Sequence, residues 1–221
     1  MKNEQKICYI FAAGELYQNA VKIPAGALVI AADGGLYHTA RLGIRPDIFL
    51  GDFDSASRAD AGADCVVYPS EKDYTDSFLA VEYGIKQGCT VFEIYGALGG
   101  KRLDHTVANL QMLEHFAVLG YTLRLHGDGQ VVTALSNLPE KSGKQSVTLS
   151  FPEVMQGYLS LFAVGGSVTG VTLRGLKYPL TDATLTTDFP IGVSNEFCGI
   201  PSEVRFSRGT LMMIWEETED S

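Results

Sequence analysis

Val91-Phe92-Glu93-Ile94-Tyr95-Gly96-Ala97-Leu98-Gly99-Gly100-Lys101-Arg102-Leu103-Asp104-His105 is the stretch that decides the fold. Val91–Tyr95 reads as a short buried strand, and a glycine-rich turn follows it at once. Beyond the turn, Thr106–Leu119 places Val107, Leu110, Leu113 and Ala117 at helical spacing. Strand, glycine turn and helix in that order are the repeating unit of an α/β domain. The backbone of Gly96–Gly100 can aim N–H groups at phosphate oxygens, and Lys101 and Arg102 add positive charge beside it.

The same alternation extends toward the N-terminus. Ile7–Phe11, Leu28–Ala32, Ile48–Leu50, Cys65–Tyr68 and, further on, Thr122–Leu125 read as buried strands. Leu36–Leu42 predicts a short helix, and Asp76–Gln87 sets Leu79, Val81 and Ile85 among polar residues as a second. Residues 1–128 are therefore expected to form an α/β domain with a largely parallel sheet. Ligands of such sheets bind beyond the carboxyl ends of the strands, where Asp33, Asp52 and Gly96 fall. After Gly127-Asp128-Gly129 the texture changes: Val147–Phe151, Tyr158–Ala163, Val168–Leu173 and Leu211–Trp215 are β-like runs between turn residues, with no helical pattern. Residues 129–221 are expected to be an all-β sandwich or barrel-like domain packed on the first. Trp215, the one Trp, reads as core.

Bulk properties limit the function. The 221 residues are 46% hydrophobic and 19% charged, with 11 Phe and 10 Tyr, enough for a substantial core. The net charge of −9 without a Lys/Arg run argues against nucleic acid as partner. A small anionic ligand remains compatible, because a metal ion neutralises both sides locally. Met1–Lys6 leads into only a short apolar run, Ile7–Ala13, too short for a membrane span or signal peptide. Cys8, Cys65, Cys89 and Cys198 are scattered and read as free, mostly buried thiols of a cytoplasmic protein.

Carboxylates supply the sharpest chemical signal. In Gly51-Asp52-Phe53-Asp54-Ser55 two aspartates leave a strand two residues apart, where hard oxygen ligands suit Mg²⁺. Alone, such a pair is equally an acidic turn. Asp33-Gly34-Gly35 closes another strand with glycines that allow close approach of a ligand. Lys72-Asp73-Tyr74-Thr75-Asp76 adds a cation, a hydroxyl and two carboxylates at a helix start, although helix capping explains an aspartate there too. Asp104-His105 closes the group, His105 being equally a polar helix-start residue. No G-x-G-x-x-G follows the first strand, since Ala12-Ala13-Gly14-Glu15 does not fit, which disfavours a dinucleotide dehydrogenase. Ser194-Asn195-Glu196 carries no role from spacing alone.

Taken in chain order, these segments resemble the thiamine pyrophosphokinase family. The resemblance rests on Ala32-Asp33-Gly34-Gly35, Arg45-Pro46-Asp47 leading to Gly51–Ser55, Asp73-Tyr74-Thr75-Asp76, Gly96–Gly100 through Arg102–Thr106 with Ala108-Asn109, Gly175-Leu176-Lys177-Tyr178-Pro179-Leu180, and Ser194-Asn195-Glu196. It implies an α/β domain, a β-sandwich and a homodimer that transfers pyrophosphate from ATP to thiamine and releases AMP. It implies that Asp52, Asp54 and Asp76 gather Mg²⁺ (or Mn²⁺) and the triphosphate, and that Arg102 reaches phosphate. Asp33, Gly34, Gly35, Lys72, Asp73, Thr75, Gly99, Gly100, Lys101, Asp104 and His105 are the further residues expected at ATP. Ser194 and Asn195 are expected at thiamine, near the partner subunit. One departure is Lys101, which stands between the glycine pair and Arg102 where the family commonly has Arg directly. The proton acceptor is left open between Asp52 and Asp76. The alternatives are a pyrophosphokinase for a hydroxymethyl-pterin, which should lack the Gly175–Leu180 and Ser194–Glu196 segments, and a non-catalytic nucleotide-binding module, which should have lost metal aspartates.

Overall fold

The computed structural model describes residues 5–51, 64–67 and 74–216. The chain forms two compact units, one of residues up to Met112 with Leu123–Asp128, the other of Leu113–Thr122 with the chain from Gly129 onward.

In the first unit six short strands form one sheet: β1 (Ile7–Phe11), β2 (Leu28–Ala32), β3 (Ile48–Gly51), β4 (Asp64–Val67), β5 (Val91–Tyr95) and β6 (Thr122–His126). They lie in the order β4-β3-β2-β1-β5-β6. The pairs from β4 through β5 are parallel, with Cys8 opposite Leu28 in β2 and Ile7 opposite Val91 in β5. Nearly unbroken apolar runs such as Cys8–Phe11 and Val29–Ala32 suit strands covered on both faces, and these residues are buried. The chain steps from β1 outward to β4, then resumes on the other side of β1 with β5. Strand order thus reverses between β1 and β5, which opens a crevice there.

Three helices accompany this sheet. Helix α1 spans Gly35–Arg41, α2 Asp76–Lys86 and α3 Leu103–Val118. Thr75 begins α2 as an extended N-cap whose side chain accepts the Phe78 N–H at 3.3 Å. Gly84 lets α2 settle onto Phe92 and Cys8, for an added Cβ would lie 2.6 Å from the Phe92 ring. Helix α3 starts three residues before the expected Thr106, because Leu103 is 73% exposed and adds nothing to the apolar stripe that marks the helix in sequence. On one face of the sheet Tyr9, Phe11, Leu16, Val29 and Tyr95 form a core with Val21 and Ile23 packed against it. Tyr95 stacks on Phe11 with ring centroids 5.3 Å apart. Each fully buried side chain of this kind contributes about 1.5–3 kcal/mol.

The second unit holds β7 (Gln130–Asn137), a single turn α4 (Pro139–Ser142), β8 (Val147–Phe151), β9 (Tyr158–Arg174), β10 (Leu180–Leu185), β11 (Asn195–Glu196), β12 (Ser202–Phe206) and β13 (Arg208–Glu216). The order is β7-β13-β9-β12-β8, with β10 and β11 also paired to β9, and these pairs are antiparallel. Two expectations change here. Tyr158–Ala163 and Val168–Leu173 are one 17-residue strand, since Gly165 and Gly166, at φ 67° and 147°, bend β9 without ending it. The expected absence of helix also gives way to α4, where Pro139 starts a turn that Gly143 stops in the left-handed conformation. Leu159, Leu161, Val171, Leu211 and Met213 lead a separate core. Trp215 packs edge-on to Phe151 beside it, in keeping with a core role.

Cys8 and Cys89 are buried and free, whereas Cys198 is exposed. Among the described residues no helix is long and apolar enough to cross a membrane.

Candidate active site

The crevice at the strand reversal is a cleft of about 590 Å³. Its floor is the chain leaving three parallel strands: Ala12–Glu15 after β1, Asp33 after β2, and the Gly96–Gly100 turn after β5. Thr75–Ser77 at the start of α2, and Arg102 with His105 and Asn109 at the start of α3, complete the lining. Two helix starts and a glycine turn around one cleft present backbone N–H groups and the positive ends of helix dipoles to an anion.

Sequence dictates this close approach. The Ala12 N–H donates to Tyr95 O and the Gly14 N–H to Gly96 O, each at 2.8 Å. A Cβ on Gly14 would lie 2.4 Å from Gly96 O, and one on Gly96 would lie 2.5 Å from Ala12 O. Only glycine at both positions lets the two turns run backbone against backbone. Beneath them Tyr95 stacks on His126 at 4.4 Å between ring centroids. His126 Nε2 lies 2.8 Å from the Glu93 carboxylate, which also accepts from Arg124. Burial pushes the Glu93 carboxyl up, but the His126 hydrogen bond and the Arg124 charge outweigh it and hold the group below the usual range.

Many expected residues meet in the cleft: Asp33, Thr75, Asp76, Gly99, Gly100, Lys101, Arg102 and His105 all line it. Asp33 is held at φ 48°, a conformation a non-glycine residue adopts at some cost, with its N–H on Leu50 O. That bond sets Asp33 beside Gly51, the last residue of β3 and the one before Asp52. Asp52, Asp54, Lys72 and Asp73 lie outside the described residues, and no group of three potential metal ligands gathers among those described.

Other expected residues take different places. Gly34 and Gly35 stand behind the lining, and Gly35 seats α1 on β1, where a Cβ would lie 1.8 Å from Phe11 O. Asp104 faces Arg102, accepting from Nε at 2.9 Å and from Nη2 at 2.7 Å. The Arg102 hydrogen bonds hold its carboxyl down at about 2, so the exposed pair stays ionised at neutral pH. Arg102 therefore lines the cleft, at the start of α3, with its Nε–Nη2 edge held by Asp104 and Nη1 outside that pair. Arg102→Ala is expected to lower activity more than Lys101→Ala, because Asp104 fixes the guanidinium and so the direction of its remaining N–H groups, whereas an ammonium is a mobile point charge. Parallel steady-state kinetics with varied ATP check the ranking, and the reverse order would assign the phosphate contact to Lys101.

The structure adds cleft residues that sequence reading passed over. Ala12–Glu15, which carries no dinucleotide fingerprint, forms one wall. A glycine directly after the first apolar strand was its only signal. Asn109, part of the family resemblance but given no role there, is buried and donates from Nδ2 to Ala97 O at 2.7 Å.

In the second unit a cavity of about 290 Å³ is lined by Tyr178, Leu180, Ile191, Val193 and Asn195, among others. Asn195 is buried, and its side chain clamps the adjoining loop. Its Oδ1 accepts the Tyr178 and Glu196 N–H groups at 3.0 and 2.9 Å, and its Nδ2 donates to Tyr178 O at 2.8 Å. Ser194 precedes it at φ 59°, its N–H on Ser160 Oγ. The Tyr178 ring, half exposed, has the Lys177 ammonium over it, 5.5 Å from its centroid.

A parallel α/β unit with a glycine-lined cleft, joined to an antiparallel β unit with a cavity of its own, is the two-part build that known transferases share with this chain. The family profile described as thiamin pyrophosphokinase, catalytic domain, matches residues 23–124, and that described as thiamin pyrophosphokinase, vitamin B1 binding domain, matches residues 144–211. The chain belongs to the thiamin pyrophosphokinase family. It is 28% identical over 201 residues to a thiamine pyrophosphokinase of Bacillus subtilis (strain 168), covering 85% of this chain and 86% of that one. A crystal structure of thiamine pyrophosphokinase from Bacillus subtilis superposes with a TM-score of 0.81 at 26% identity, covering 96% of this chain and 99% of the other. One from Geobacillus thermodenitrificans gives 0.78 at 27% identity, covering 97% and 99%.

Proposed function

We propose that the chain transfers the pyrophosphoryl group of ATP to the hydroxyethyl oxygen of thiamine, giving thiamine diphosphate and AMP. The observation that carries this reading is the meeting of Asp33, Asp76, Lys101, Arg102 and the Gly96–Gly100 turn in one cleft, in a chain matched by the family on both units. In this reading ATP occupies the cleft of the α/β domain, residues 1–128. Thiamine is assigned to the Tyr178–Asn195 cavity of a β-sandwich domain, residues 129–221. The active unit is a cytoplasmic homodimer with two equivalent sites.

Pyrophosphoryl transfer asks a protein mainly to align the reacting atoms and to neutralise charge. Arg102 and Lys101 would bind phosphate oxygens, and the Gly96–Gly100 turn would orient the chain of phosphates. Asp52 or Asp76 would accept the alcohol proton. The donor chemistry of the cleft suits Mg²⁺ or Mn²⁺, since Asp33 and Asp76 bring hard carboxylate oxygens and Gly51 leads directly to Asp52. Asp52, Asp54 and Asp76 would hold the ion, which supplies Lewis-acid neutralisation of the triphosphate.

The two-cavity assignment is tested by Ser194→Ala combined with Asn195→Ala. The loss frees the Tyr178 backbone from its clamp, and thiamine affinity is expected to fall on the order of tenfold with ATP affinity unchanged. Calorimetric titration of each ligand decides it. An equal loss for ATP would move the pair to the nucleotide side.

A further inference from the structure

Both turns that wall the cleft have a carbonyl tied down by a side chain from the helix next to them. His38 of α1 places Nε2 2.8 Å from Gly14 O. A carbonyl only accepts, so Nε2 carries the proton. The other ring nitrogen, Nδ1, is buried without a hydrogen-bond partner, so the bond to Gly14 is the ring's polar tie. The ring also lies under the second turn: a Cβ on Gly96 would meet His38 Cδ2 at 3.4 Å. In that second turn, Asn109 of α3 holds Ala97 O at 2.7 Å and is itself buried. Arg41, one turn beyond His38, pins the same strap further along through Leu16 O and Gln18 O.

A carbonyl facing a polyphosphate repels it, whereas an N–H attracts it. In a planar peptide the two groups point in opposite directions. Tying Gly14 O to His38 therefore fixes the direction of the Glu15 N–H, and tying Ala97 O to Asn109 fixes that of Leu98. We propose that His38 and Asn109 are positioning residues for the nucleotide: they hold the Gly14–Glu15 and Ala97–Leu98 peptides with their carbonyls turned away from the phosphates. Neither touches the reacting atoms. Their effect is preorganisation, which lowers the cost of binding an anion by fixing dipoles beforehand. The inference rests on ATP occupying this cleft.

The test is calorimetric titration of the full-length protein with ATP and Mg²⁺, and separately with thiamine, alongside thermal unfolding. His38→Leu and Asn109→Leu remove the donor and are expected to weaken ATP on the order of tenfold, leaving thiamine affinity unchanged. His38→Gln restores an N–H at similar reach and should return ATP affinity to within about twofold of wild type. Asn109→Ala, which removes the donor without adding charge, should behave like the leucine variant and serves where leucine does not fold. Leucine variants that bind ATP like wild type, or that lose thiamine equally, would overturn the proposal, as would a His38→Gln chain no better than His38→Leu. Wild-type protein that fails to bind ATP would instead sink the nucleotide reading itself.

Discussion

Asp76→Asn is expected to abolish turnover while the protein stays folded. Asp76 opens α2 directly after the Thr75 cap and lines the cleft with Asp33. Asparagine keeps the shape of the side chain and removes the hard anionic oxygen that the proposed metal site would use. Loss of the charge at the helix start costs only about 0.3–1 kcal/mol, so stability changes little. Groups one step removed from a metal typically cost 10–100-fold when altered, so a direct ligand should cost about a hundredfold or more. Asp54→Asn, at a residue outside those described, carries the same expectation. Near-native rates for either variant across a magnesium titration would remove that residue from the metal site.

Gly35→Ala should have the largest effect on stability. The new methyl would lie 1.8 Å from Phe11 O and 2.4 Å from Phe11 C, both backbone atoms of the central strand. No flexible side chain is there to give way, so α1 must lift off β1. The cost is expected to be about 3 kcal/mol or more, read as a lower midpoint in urea with the slope retained. ATP affinity should fall with it, because α1 carries His38 and Arg41, which brace the Gly14–Gln18 strap. An alanine variant as stable as wild type would show that α1 does not rest on β1 at this distance.

Much of the first unit was legible because its strands are apolar throughout and its helices amphipathic. Val91–Tyr95, the Gly96–Gly100 turn and the helix beyond follow directly from composition and spacing. The ends of elements were less legible where exposed residues hide the pattern, as Leu103 does at the start of α3. In the second unit Gly165-Gly166 reads as a break, yet the strand passes through it, held by partners on either side that local sequence does not reveal. β7 escaped notice because Thr133, a polar residue that only tertiary structure buries, interrupts its short apolar stretch Val131–Ala134.

At the site, residues that face a ligand carried a signal, since aspartates and glycines at strand ends have few other reasons to gather. Residues that act through the backbone did not. His38 and Asn109 sit within helices, and only tertiary structure brings them to Gly14 and Ala97. Gly35 shows the converse: its place beside Asp33 suggested phosphate contact, whereas its missing Cβ serves the packing of α1.

The central claim is the transfer itself, and product identification tests it most directly. Purified protein given ATP, Mg²⁺ and thiamine should form thiamine diphosphate and AMP in equal amounts, resolved by chromatography and mass spectrometry. Attack at the β-phosphorus predicts that pair. Formation of thiamine monophosphate with ADP, or no product from thiamine at all, would contradict the account.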